Sequence, residues 1–446
     1  VKEVGAILHY LFQAHDTIPT KESAMSGEVN LACTLSKNNL PVTGQPQLTY
    51  ILLEVLPTAV MASVQMPLNF SLVLDKSGSM GGDKMRCLKD AVKHVVEMLG
   101  PDDFISVVSF DSSPKVLIKS QQARSAGDKA NLRQQIDRLD AGGGTQISPA
   151  LEAGYDELRK AYAPDRINRI VLLTDGQTSN EDSCRKKAKK IGEAGIQLTA
   201  LGIGSDWNEK LLIDLAATTN GQADYIQGPQ DIVPYFQGAV QSMQGAVVQN
   251  AELVLRLVAG INPRKVWRVV PTISDLGYRP ISDRVIAASL GELEKGQGQA
   301  ILVELMLPAR AAGTYRIAQA EIGYDVPLLH LVQEKVRSDI MLGFTHDPVL
   351  AQQVNPKVMN IVEKVTAFKL QTRALQAAEA GDIANATQQL RAAHTILLGQ
   401  GDAELAKTVK LAADQLEQQN QMTADAKKTI QFKSGKTVRL DQSGQP

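Results

Sequence analysis

The 446-residue sequence has little cysteine, few aromatic residues and no surplus of either charge. Cys33, Cys87 and Cys184 are far apart and odd in number. They suit neither a disulfide framework nor a thiolate metal site, and a reducing, cytoplasmic setting is expected. A net charge of −1 gives no bulk attraction to nucleic acid or to an acidic membrane surface. No apolar run approaches the roughly 20 residues needed to span a bilayer. The segment GAILHYLF near the start is too short for a secretory signal. Met25-Ser26-Gly27 reads as a start preceded by residues 1–24, and the N-terminal extension is bounded at 1–27, before the first strand pattern. What is present is 43% hydrophobic residues over a length that suits two or three soluble domains.

The most informative stretch is NFSLVLDKSGSMGGDKM, from Asn69 to Met85. An apolar run stops at Asp75, hydroxyls follow at Ser77 and Ser79, and glycines lead into an amphipathic helix. This reads as a buried parallel strand, a loop and a helix. In an extended segment alternate residues share one side, which would aim Asp75, Ser77 and Ser79 into one small volume. Their oxygens are hard donors suited to Mg²⁺, with Mn²⁺ as an alternative. Two later segments look able to complete the site. AGGGTQISP carries Thr145 before a helix opening at Ser148-Pro149, and RIVLLTDGQTS ends a second apolar run at Asp175-Gly176. In open α/β sheets, ligands gather beyond the carboxyl ends of the strands, where both acids fall.

The order DxSxS, T, DG resembles the metal-ion-dependent adhesion site of von Willebrand factor A (vWA) domains. Asp75, Ser77, Ser79, Thr145 and Asp175 match its five positions. The resemblance covers about residues 67–245, where strand patterns (69–75, 103–110, 115–119, 168–174, 196–203, 223–227) alternate with helical ones (83–99, 128–139, 148–162, 181–194, 208–219, 229–243). It implies a doubly wound, mostly parallel sheet with one antiparallel edge strand at 115–119. It also implies that the hydroxyls contact the metal, that the carboxylates act partly through water, and that a partner's Asp or Glu fills an open position. Gly81-Gly82 stand where some adhesion receptors carry acids for a second metal, so none is expected here. Asp83 is expected to cap the following helix.

Flanking this α/β unit, residues 28–66 and 246–346 show period-two alternation in short runs bounded by Gly and Pro. They are expected to form one β-sandwich into which the vWA domain is inserted. That plan is similar to bacterial cytoplasmic vWA proteins and to inter-α-trypsin-inhibitor heavy chains. From residue 347 to 425 the period becomes helical. Asn355 and Pro356 open one helix, and glycines at 381, 399 and 401 separate it from two more. A small three-helix bundle is expected. Residues 426–446 form a basic tail, expected to be a hairpin across Ser434-Gly435. Gly435-Lys436-Thr437 echoes a phosphate loop, but Ile430 replaces its first glycine and nucleotide binding is rejected.

These features predict a metal-dependent protein-interaction scaffold of bacterial intracellular signalling or assembly, and not an enzyme. His9 and His15 lie in the extension, His94 lies in a helix, and His330, His346 and His394 lie outside the vWA domain, so no general base is evident. The alternatives are an extracellular adhesin of inter-α-trypsin-inhibitor type, a partner subunit of a MoxR- or chelatase-type AAA+ ATPase, and a metal-assisted hydrolase. A phosphothreonine-binding partner reading Thr429 or Thr437 is a further expectation from the tail.

Overall fold

The computed structural model describes residues 27–204 and 206–435. The chain opens with strands β1 (Val29–Leu35), β2 (Asn39–Pro41) and β3 (Gln47–Pro57). The α/β unit then runs β4 (Leu68–Asp75), α1 (Asp83–Met98), β5 (Phe104–Phe110), β6 (Pro114–Gln122), α2 (Ala126–Ile136) and α3 (Ile147–Arg159). It continues with β7 (Ile167–Thr174), α4 (Glu181–Glu193), β8 (Gln197–Ile203), α5 (Glu209–Thr218), β9 (Ala223–Ile226) and α6 (Ile232–Gly245). The strands return as β10 (Ala246–Leu257), β11 (Asn262–Val270), β12 (Ser274–Asp275), β13 (Arg279–Ser282), β14 (Val285–Glu294), β15 (Gln299–Leu307), β16 (Gly313–Val326) and β17 (Leu331–Thr345). Helices α7 (Pro348–Gln352), α8 (Pro356–Glu379), α9 (Ile383–Gly399), α10 (Ala403–Gln419) and α11 (Ala424–Lys433) follow.

The α/β sheet has the order β6-β5-β4-β7-β8-β9, and every neighbouring pair is parallel except β5–β6. Strands β4 and β7 are buried along their whole length, which explains why apolar residues occupy both of their faces at 72–74 and 170–173. One face of the sheet packs on α1, α2 and α6 through Leu72, Val92, Val96, Ile136 and Phe236. The other packs on α3, α4 and α5 through Val73, Leu151, Ile191 and Leu215. The chain leaves the centre in opposite directions after β4 and β7, so their carboxyl ends frame a crevice at the switch point. Asp75 and Asp175 stand there.

The vWA unit is inserted in a β-sandwich. One sheet has the order β1-β3-β15-β11-β12 and the other β13-β14-β10-β16-β17-β2. A core including Ile51, Leu253, Val303 and Ile322 draws residues from both sheets, and from before and after the insertion. Helix α8 then bridges two cores. Its first half seats Val358, Ile361 and Val365 beside Trp267 and Leu52 of the sandwich, and its second half packs Ala374 and Leu375 on α9 and α10. Asn355 caps it through the Val358 N–H at 3.2 Å.

Several local expectations are corrected. Short strands β2, β12 and β13 carry too few residues to show a period. Asp83 is not a cap: Gly82 holds that position, and Asp83 sits in the first turn paired with Arg86 at 2.8 Å. Within 426–446 the described part is no hairpin, because residues up to Lys433 form helix α11. Phe432 packs on Trp207 and Tyr225 with ring centroids 5.5 and 6.3 Å away, and the Tyr225 hydroxyl donates to Asp425 at 2.8 Å. The helix thereby covers β9, the open edge of the parallel sheet. Thr429 is buried in that contact, so a phosphothreonine reader has no access to it, and Thr437 lies outside the described residues.

Candidate metal centre

Asp75 ends β4 with its side chain fixed on both oxygens. Oδ1 accepts the Ser77 N–H at 2.8 Å, and Oδ2 accepts the Thr174 hydroxyl at 2.5 Å. Ser77 and Ser79 do not converge by strand alternation. Residues Gly78–Met80 form a 3₁₀ turn, closed by the Met80 N–H on the Ser77 carbonyl, and this turn swings Ser79 back over the site. The two hydroxyl oxygens then lie 3.1 Å apart. Both face Asp175 Oδ1, Ser79 at 2.7 Å and Ser77 at 3.4 Å.

Thr145 reaches the site on a loop tied to the Asp75 loop. The Gly142 N–H donates to the Lys76 carbonyl at 2.7 Å, and the Gly78 N–H to the Gly143 carbonyl at 3.2 Å. Gly143 adopts φ of +83° and lies so close to Asp111 that a β-carbon there would be 2.9 Å from its Cβ. Thr145 Oγ1 sits against Gly176, where a β-carbon would approach it to 2.9 Å. The five residues named from the motif are therefore gathered by three loops at one crevice. Asp75, Ser77 and Asp175 form a buried floor, Thr145 is half-buried, and Ser79 is exposed at the rim.

Two contributors were not legible in the motif. Thr174, one residue before Asp175, holds Asp75 from the neighbouring strand. Lys84, in the first turn of α1, places its ammonium 2.5 Å from Asp175 Oδ2 and 3.3 Å from the Ser79 carbonyl. Burial pushes the Asp75 carboxyl above its ordinary value, and the Asp175 charge adds to this. Hydrogen bonds from Thr174 and Ser77 pull the other way. A pair of buried acids, two converging hydroxyls and a solvent-facing rim fit a hard divalent cation. Among the described residues, no cluster of three or more His, Cys, Asp or Glu side chains is placed to hold a metal.

The sequence matches the family described as von Willebrand factor type A domain over residues 69–231, and the Sll0103-like C-terminal alpha-helical domain over 356–440. The protein sll0103 of Synechocystis sp. (strain ATCC 27184 / PCC 6803 / Kazusa) is 30% identical over 345 residues, covering 75% of this chain and 80% of that one. The chain belongs to the Sll0103-like von Willebrand factor A family. Human inter-alpha-trypsin inhibitor heavy chain H2 is 30% identical over 195 residues, 42% of this chain and 21% of that one. The chain thus spans most of sll0103 but a minor part of the heavy chain. Among solved structures, the von Willebrand factor type A protein from Catenulispora acidiphila superposes with a TM-score of 0.77 at 20% identity, covering 94% of this chain and 99% of that one. That likeness extends the shared fold across the vWA domain, the sandwich and the helices.

Proposed function

We propose that this vWA protein is a scaffold that recognises an acidic residue of a protein partner through a divalent cation, Mg²⁺ or Mn²⁺, at the Asp75 crevice. Ser77, Ser79 and Thr145 would offer hydroxyl oxygens to the ion, with Asp75 and Asp175 behind them. A bound cation supplies one hard electrophilic position for a carboxylate from outside. The observation that carries the reading is the convergence of Ser77 Oγ and Ser79 Oγ on Asp175 Oδ1 beneath an exposed rim.

Thr174 and the Ser77 N–H hold the Asp75 carboxylate in place, so the floor is preorganised. A groove of about 350 Å³ beside the rim, lined by Gly81, Gly82, Met85, Arg86, Lys89, Asp140 and Ala141, gives room for residues flanking a partner's acid. We read the site as one of binding: the Ser77 and Ser79 hydroxyls face each other and Asp175 Oδ1, turned toward a shared cation. We place this activity in the bacterial cytoplasm, in signalling or assembly, in keeping with three free thiols.

The test is capture of partners from native extract by the wild type and by Asp75→Ala, each with and without EDTA. Proteins lost from both the mutant and the chelated sample are the expected result. Identical partner sets in all four samples would refute the proposal.

A further inference from the structure

Asp175 divides its two oxygens between different neighbours. Oδ1 faces the hydroxyls of Ser77 and Ser79, whereas Oδ2 is held by the Lys84 ammonium at 2.5 Å. The Asp175 side chain is fully buried and Lys84 remains partly open to solvent, so the ammonium closes the outer side of the carboxylate. Gly82 caps α1 and has no side chain to satisfy the N–H groups of its first turn, where Lys84 stands. Lys76 is spent elsewhere, on Asp111. The Lys84 ammonium sits directly on an acid of the crevice floor.

We propose that Lys84 is a resident counter-cation that sets the charge of this site. The inference rests on the metal-binding reading and deepens it. Two carboxylates and one ammonium leave the floor with one net negative charge. A divalent cation held there then retains a positive charge, which is what an incoming carboxylate requires. Removing the Lys84 charge makes the floor doubly negative. Metal uptake tightens, and the attraction left for an external acid weakens. Lys84 therefore trades metal affinity for ligand affinity. The orientation of Asp175 Oδ1 does not depend on Lys84, because the Ser77 and Ser79 hydroxyls hold that oxygen themselves. A purely structural ion pair would instead lower metal uptake when broken, because Asp175 would lose its orientation.

The experiment uses the full chain, with Mn²⁺ as the metal probe and acetate as the carboxylate probe. Free Mn²⁺ is followed by electron paramagnetic resonance in titrations of wild type, Lys84→Met, Lys84→Gln and Lys84→Arg. Acetate is then added to the Mn²⁺-loaded proteins while water-proton relaxation reports displacement of metal-bound water. The expected result is roughly tenfold tighter Mn²⁺ binding by Lys84→Met and Lys84→Gln, a gain tempered by solvent screening at this half-open site. The same two variants should take acetate more weakly than wild type, and Lys84→Arg should match wild type in both assays. The paired, opposite shifts cannot come from partial unfolding, which lowers both. Equal or weaker Mn²⁺ binding by the neutral variants, or Lys84→Arg behaving like them, overturns the role of Lys84 while leaving the metal site standing. No Mn²⁺ uptake by any of the four proteins overturns the metal reading itself, and the role of Lys84 with it.

Discussion

The Thr174 hydroxyl donates to Asp75 Oδ2 at 2.5 Å, joining the ends of two parallel strands whose residues are 99 positions apart in sequence. This bond also ties β7 to the Asp75 crevice, because Thr174 Oγ1 accepts the Gly176 N–H at 3.2 Å. Thr174→Val keeps the shape of the side chain and removes the donor. It should leave a buried carboxylate oxygen unpaired and cost about 1–3 kcal/mol of stability, read as a lower urea midpoint. Divalent-cation binding should weaken in the same variant. An unchanged midpoint would show that the bond contributes nothing.

Gly176 gives a second, more local handle on the site. A β-carbon there would meet Thr145 Oγ1 at 2.9 Å, closer than such atoms approach. Gly176→Ala should therefore push Thr145 out of the crevice and lower Mn²⁺ affinity by roughly tenfold, about 1.4 kcal/mol. The thermal midpoint should fall little, because the residue is only half-buried. Affinity equal to wild type would remove Thr145 from the ligand set.

The docking of α11 makes an independent prediction. Phe432 completes a triangle of rings with Trp207 and Tyr225, and Lys428 donates to the Trp207 carbonyl at 3.0 Å while lying over its ring. Phe432→Ala should loosen the helix at a cost of about 1–2 kcal/mol, below the full cost of a core phenylalanine because the ring is only partly enclosed. Hydrogen exchange in residues 424–433 should accelerate, while exchange in α8 should not. Unaltered exchange would mean the aromatic contact does not hold the helix.

Glu209 should make that docking sensitive to acid. Burial opposes its ionisation, but hydrogen bonds from its own backbone N–H and from Lys427, with the Lys428 charge nearby, hold it below the usual carboxylate range. Lys427 lies 3.0 Å away on α11. Because the folded-state value is depressed, the contribution is complete above the unfolded carboxylate pKa of about 4.3 and is lost as pH falls through the lower folded value. In a Trp267→Phe background, where Trp207 is the single tryptophan, its fluorescence should shift on acidification. Adding Glu209→Gln should remove that step. Superimposable titrations with and without Glu209→Gln would contradict this account.

Much of the plan was legible because its signals are local. The fully buried strands β4 and β7 show as short apolar runs at 72–74 and 170–173, and glycine loops mark the crevice before any contact is known. The insertion in a sandwich could be read from period-two alternation on both sides of the α/β unit. Other features depend on distant partners. Lys84 meets an acid 91 positions away, and nothing in its own neighbourhood distinguishes it from the other surface lysines of α1. The α11 segment alternates in a way that suits a strand, with Ile430 and Phe432 two apart. It is a helix because Trp207 and Tyr225 offer an apolar seat and Thr423 caps its start at 3.2 Å. The 3₁₀ turn at Gly78–Met80 is likewise set by the loop it packs against, since the Gly78 N–H bonds the Gly143 carbonyl.

The most direct test of the central claim is calorimetric titration of Mg²⁺ into the wild type and into Ser77→Ala with Ser79→Ala, with circular dichroism confirming that both are folded. The account predicts saturable uptake of a single ion by the wild type and none by the double variant. Equal uptake by both proteins, or no heat of binding in the wild type, would contradict it.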